Sequence, residues 1–295
     1  MQLFITGGTG NIGSAVVAEL IEHGHGAAVL ARSDASAALA REAGAAVVRG
    51  DLADLAAIRT AADAADGAIH LAFGNDFSGP DALAANIAEE TAAIETIAAA
   101  LVGSDRPFAI VSGTPSAVGR PSVESDPLPT EGPVGGRGAT VTRVLEEFAA
   151  RGVRTSAVRL PRTVHKDGDG GFAGILTQMA RRSGVSGYPG TGEQRWPAVH
   201  SLDAAVLFRL AIERAPAGSA WHAVQDEGDA VRDIAAVIGR RLELPVQQLP
   251  EETYGPIGPI FAADQPASSA FTRAELGWTP THLGLLEDLE RHLRP

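Results

Sequence analysis

Cysteine is absent from the 295-residue chain, which excludes disulfides, thiolate nucleophiles and cysteine-ligated metals. Lysine is nearly absent too, since Lys166 stands alone among arginines. Tyrosine occurs twice, at Tyr188 and Tyr254; the residues four positions on are Gly192 and Gly258, so no tyrosine has a lysine one helical turn away. Acidic residues outnumber basic ones 36 to 24, giving a formal net charge of -12, which argues against a basic phosphate-binding face and a nucleic-acid partner. No apolar run approaches the length of a membrane span. "MQLFIT" enters a strand with neither a charged leader nor an apolar signal core, so a cytoplasmic protein with no membrane partner is expected. No histidine pair has convincing ligand spacing, and no metal is expected.

What is present is an ordinary globular composition, 45% hydrophobic and 20% charged. Short apolar runs ("QLFIT", "AAVLA", "AAVV", "AIHLAF", "FAIVSG", "TSAVRL") alternate with helical patterns, including a long alanine-rich one from Ala82 to Val102. Uninterrupted apolar strands between helices predict an α/β fold, a Rossmann-type doubly wound parallel sheet covered on both faces. From Lys166 to Trp196 the pattern changes, with "DGDGG" and "GYPGTG" flanking one helix. The last seventy or so residues mix helices with Pro-rich loops and close on the amphipathic "THLGLLEDLERHL". A smaller, interleaved C-terminal substrate-binding lobe is therefore expected: residues 1–165 and 201–225 forming the dinucleotide domain, 166–200 and 226–295 the lobe.

"FITGGTGNIGSAVVAEL" places Gly7, Gly10 and Gly13 between the first strand and the first helix. One glycine turns the chain, one admits a pyrophosphate to the backbone, and one lets helix and strand pack closely. The pyrophosphate then rests on amides at the positive helix end, which adds Thr9, Asn11 and Ile12 to the cofactor set. At the end of the second strand stand Arg32 and Ser33 instead of an acid, the pattern suited to the 2′-phosphate of NADP(H). The alternative is a surface arginine already neutralised by Asp34.

These motifs make the chain resemble an extended or atypical short-chain dehydrogenase/reductase over nearly its whole length. "TGGTGNIG" matches that family's fingerprint, and "GDLAD" its adenine-contacting motif at Asp51 and Leu52. "IHLAF" is similar to its strand under the nicotinamide, which implies cofactor contacts from Leu71, Ala72 and Phe73. "VSGTPSAVG" resembles the strand end bearing the catalytic serine or threonine, and "RLPRTVHKDGD" the proline-containing strand end, implying cofactor roles for Ser112 and Pro161. "WPAVHSLDAA" and "LGWTP" are similar to later signatures of the extended branch. The resemblance implies that Thr114 positions the substrate oxygen.

It also implies a tyrosine and a lysine on the helix written "GGRGATVTRVLEEFAARG", whose Val141, Val144, Leu145 and Phe148 share one face. Aligned on Glu146 and Glu147, the two positions hold Gly138 with Thr142, or Ala139 with Arg143. The proton must then come from elsewhere: from His165, from His200, or from a phenol on the substrate beside the reacting carbonyl. The last route suits members similar to NADPH-dependent ketoreductases of aromatic polyketides. Phe73, Pro115, Ser116, His165, Phe172, Met179 and Trp196 are the expected substrate contacts; for any single aromatic a place in the lobe's own core is the stronger reading, and together they suit a mostly apolar pocket. The expected function is thus NADPH-dependent reduction of a ketone on an apolar, aromatic small molecule. A non-catalytic NADP-binding redox sensor is the alternative. A sugar-nucleotide epimerase or dehydratase, for which Arg181, Arg182 and Arg195 speak, is disfavoured by the missing tyrosine. The oligomeric state is left open.

Overall fold

In the computed structural model, strands and helices alternate from the first residues onward, and residues 1–74, 76 and 78–295 are described. The order is β1 (Gln2–Thr6), α1 (Asn11–Glu22), β2 (Gly26–Ala31), α2 (Asp34–Glu42), β3 (Ala46–Arg49), α3 (Leu55–Ala64), β4 (Gly67–His70), α4 (Pro80–Ala100), β5 (Pro107–Gly113), α5 (Gly135–Arg143) and β6 (Arg154–Leu160). With the later strand Ser219–His222 they form a seven-stranded sheet ordered β3-β2-β1-β4-β5-β6 and then Ser219–His222. The pairs β1–β2, β2–β3, β1–β4 and β4–β5 are parallel. The doubly wound α/β fold expected from the apolar runs is therefore present, and its strand order reverses between β1 and β4, the switch point where such sheets open a crevice.

Local chemistry sets the helix starts. Ser33 caps α2 through a reciprocal pair of bonds with Ser36, Asp54 caps α3 by accepting from Ala57 N, and Pro80 opens α4 where a missing N–H costs nothing. Phe4, Ile58, Ile94, Ile97, Phe108, Val141, Val144 and Phe148 make one buried cluster between the sheet and its helices. The run Ala68–Phe73, expected as strand throughout, is strand only to His70, because the turn at Gly7 packs against the backbone of Leu71 and Ala72. After Arg143 the fifth helix continues through a π-helical turn, Val144–Phe148.

Two units divide the chain: 1–112, 127–159 and 205–221 in the first, 113–126, 160–204 and 222–295 in the second. Their borders lie a few residues from those expected at 165, 200 and 225, and 113–126 belongs to the second unit, whereas the sequence had placed it in the first domain. The second unit holds a three-stranded sheet (Asp226–Ala230, Arg195–His200, Thr163–His165), a two-stranded one (Val246–Leu249 with Ser186–Pro189), and a core built on Leu176, Trp196, Ile234, Ile238, Phe261, Leu285 and Leu289. Among the described residues, no helix is long and apolar enough to cross a membrane.

Candidate active site

The three glycines of the first turn occupy three different environments. Gly7 has φ +73°, and a Cβ there would come within 2.7 Å of Ala72 N. A Cβ at Gly13 would meet Gly7 O at 2.0 Å, so only glycine lets α1 sit this close to the turn. Gly10 caps α1 without any side-chain bond, and its nearest neighbour to a Cβ is Gly7 O at 3.4 Å. The helix thus starts with unclaimed amides beside open space, a cradle that fits a pyrophosphate. Thr9 and Ile12 are half-buried beside it, and Asn11 is exposed.

After β2, where the adenosine end of the cofactor is expected, Arg49 donates from Nη1 to Ser33 O (2.8 Å) and pairs through Nη2 with Asp34 (2.9 Å). Asp34 is therefore engaged by Arg49 and not by Arg32, which is exposed and makes no ion pair among the described residues. Asp51 accepts from Ala53 N and Asp54 N, fixing the turn after β3, while Leu52 packs on the core. Leu71, Ala72 and Phe73, expected beneath the nicotinamide, follow β4 half-buried, and Ser112 is half-buried in β5. Thr6 Oγ1 and His70 Nδ1 bond at 2.9 Å across β1 and β4. Burial first, and then the charge of Arg137, push the His70 pKa down to about 3, so this ring is neutral at physiological pH.

The fifth helix explains its own missing phenol. A Cβ on Gly138 would come within 2.0 Å of Pro129 O, and one on Gly135 within 2.6 Å of Thr130 O. Residues 128–130 thus press on the first turns of α5, and the first candidate tyrosine position is closed by backbone. At the second, Ala139 is exposed and Arg143 is ion-paired with Glu95. Beside them lies a group that sequence reasoning missed. Arg137 donates from Nε and Nη2 to the two oxygens of buried Glu90, each at 2.7 Å, and its guanidinium lies 4.2 Å from the Phe73 ring centroid. Its burial raises the Glu90 pKa, against the pull of Arg137.

In the second unit, Thr114 is buried, its N–H donating to Leu160 O and its carbonyl accepting from Gln265 Nε2. Pro115 and Pro161 are buried and Ser116 is exposed. His165 is 1% exposed; its Nδ1 bonds Asp288 Oδ2 at 2.8 Å, and its Nε2 has no partner. A wholly enclosed imidazole has no route for a proton to a ligand. Asp288 also binds Gly168 N and His292 Nδ1; its pKa is depressed by these bonds and the His165 charge despite burial. His200 is pushed down to about 4 by burial and by His165 and His282 beside it, so near neutral pH the ring is neutral and lacks the imidazolium proton a general acid gives. His200 and His282 stack at 4.6 Å with planes 10° apart, and Asp203 is spent on Thr281 N and His282. Ligand atoms of His200, Asp203 and His282 lie within 4.8 Å of one another, a grouping that could hold a metal ion and that the sequence reading, expecting none, did not find.

Trp196 is fully buried and packs edge-on against Phe172 and Phe261, with Met179 against the same core; a ring with no exposed face contributes packing. Tyr254 is buried in that core too, its phenol pKa raised to about 12 by burial. Arg181 bonds the Arg294 carbonyl and Arg195 pairs with Asp264.

A glycine turn with an open helix start, at the switch point of a parallel sheet, defines a dinucleotide-binding α/β protein. The model of the NAD dependent epimerase/dehydratase family, an extended short-chain dehydrogenase/reductase type, matches residues 3–224, and the chain belongs to this family. It is 40% identical over 300 residues to an uncharacterized protein of Schizosaccharomyces pombe, covering 98% of both chains. To the UDP-glucose 4-epimerase of Streptomyces lividans it is 26% identical, covering 96% of this chain and 93% of the relative. A UDP-glucose-4-epimerase structure from Stenotrophomonas maltophila with bound NAD has a TM-score of 0.78 at 17% identity, covering 99% of this chain and 96% of that one. A dTDP-glucose 4,6-dehydratase structure from Streptomyces venezuelae, also with NAD, reaches 0.79 at 18% identity with the same coverage.

Proposed function

We propose that the protein is an NADPH-dependent reductase of a ketone on an apolar, aromatic small molecule, with the proton supplied by the substrate. The carrying observation is the closed position at Gly138: no phenol fits where Pro129 O lies within 2.0 Å of a Cβ. The cradle at Gly7, Gly10 and Gly13 fits the pyrophosphate, Asp51 and Leu52 the adenine side, and Leu71–Phe73 with Ser112 the nicotinamide side. Arg32, with Asp34 drawn off by Arg49, suits a 2′-phosphate. Bound there, the cofactor supplies hydride. Thr114 donates its hydroxyl to the substrate oxygen, and its backbone is held by two hydrogen bonds, its N–H donating to Leu160 O and its carbonyl accepting from the Gln265 side-chain Nε2.

Sugar-nucleotide chemistry is the second reading, favoured by the UDP-glucose 4-epimerase relative. The deciding assay follows NADPH absorbance with aromatic ketones and quinones, and in parallel UDP-glucose with NAD. Steady NADPH consumption with ketones supports the reductase. Epimerised UDP-glucose would replace it with the second reading. Tight NADPH binding with no turnover in either arm, together with a co-purifying partner, would make the protein a redox sensor.

A further inference from the structure

Resting on the proposed reductase activity, we infer that Arg137 is the fixed cation of the site, and that the substrate carries an acidic hydroxyl beside its ketone which docks on this guanidinium. Three features of the first unit carry this. Arg137 leaves the first turn of α5, immediately before the closed position at Gly138. Buried Glu90, 3% exposed, grips Nε and Nη2 in a two-point bond, which fixes the plane of the guanidinium. Nη1 has no protein partner among the described residues, and the side chain is 30% exposed, so one edge remains for a ligand.

Its position is specific as well. The guanidinium lies 4.2 Å from the centroid of Phe73, one residue beyond the backbone on which the Gly7 turn packs. An arginine bound only for stability would be satisfied by Glu90 alone; this one is also held against an aromatic ring next to the cofactor turn, a geometry that keeps its free edge from swinging. A guanidinium keeps its protons and so cannot act as the acid. It can stabilise the oxygen that another acid leaves behind. In the reduction, the carbonyl carbon takes the hydride and the carbonyl oxygen takes the proton of the neighbouring phenol. The phenolate so formed is held by Arg137 until water reprotonates it. NADPH is oxidised by two electrons, and one ketone becomes one alcohol.

The test uses 1-hydroxyanthraquinone, whose visible band reports ionisation, bound to the enzyme with NADP+ so that no turnover occurs. Arg137 is expected to lower the ionisation midpoint of the bound hydroxyl by about one pKa unit relative to buffer. Arg137→Met removes that shift, Arg137→Lys retains part of it, and 1-methoxyanthraquinone binds all forms alike. The double variant Glu90→Gln/Arg137→Met removes both charges of the pair, so that an unfolded single variant does not end the test. An unchanged midpoint in a folded Arg137→Met or double variant overturns the inference. So does an equal loss of NADPH affinity, which would make Arg137 a cofactor ligand. If no ketone is ever turned over, the reductase falls while the midpoint shift still reports on Arg137. If hydroxy and methoxy ketones are reduced equally by wild type and Arg137→Met, the reductase stands and the role of Arg137 falls.

Discussion

Helices α1 and α5 both begin in glycine-rich sequence, "GGTGNIG" and "GPVGGRG", yet their surroundings are opposite. At α1 the cap glycine, Gly10, faces open space, with nothing nearer to a Cβ than 3.4 Å. At α5, Gly135 and Gly138 are pressed by the backbone of Thr130 and Pro129, at 2.6 and 2.0 Å. A missing side chain leaves room in both cases, unfilled by the chain in the first and taken up by the chain itself in the second. Composition cannot separate the two; only the neighbour can.

The strongest way to break this contrast is to refill both spaces. Gly138→Ala is expected to cost roughly 1–3 kcal/mol through overpacking, a fall of several degrees in melting temperature. Gly10→Ala, without a close neighbour, leaves the melting temperature near wild type and weakens NADPH binding about tenfold, read by fluorescence titration. A stable Gly138→Ala with an unfolded Gly10→Ala would invert the comparison. The adenosine end of the α1 turn sharpens it further. Arg32→Ala is expected to weaken NADPH by about tenfold while leaving NADH within a factor of two, since only the former carries the extra phosphate. Equal losses would remove the phosphate role.

The smallest effect concerns the buried histidines, His70 in the first unit and His200 in the second. Burial above all pushes their pKa values down to about 3 and about 4, below the ordinary imidazole value of about 6.5. Between pH 6.5 and about 4 the unfolded chain binds protons that the native rings refuse, so stability falls as pH falls through that window. Denaturation midpoints recorded from pH 7 to pH 4.5 should decline, and His200→Gln should flatten the decline. A profile that is level in wild type would mean that these rings titrate alike in both states.

The sheet and the cofactor turn were legible because their signals are local: apolar strand runs and glycines at fixed spacing. That the α5 helix lacks a phenol was also legible, since it needs only a residue count. Why it lacks one was not, because Pro129 reaches Gly138 through tertiary packing. Arg137 stood in the sequence as the first charge of that helix, but Glu90, 47 positions earlier in an alanine-rich helix, gave no hint of being its partner. His165 looked accessible on motif grounds, whereas Asp288, from the C-terminal helix, encloses it. In the second unit Trp196 and Tyr254 lie in one packed core, with Phe172, Met179 and Tyr188 against it.

The division of the chain into interleaved pieces bears on synthesis. The first unit lacks its last stretch until residue 221 has been made, and the second until residue 295. Neither is a contiguous product of the ribosome, so early strands must wait, partly assembled, for partners far downstream. Truncation before 205 would leave the first sheet without its final strand, and no single gene cut yields either unit intact.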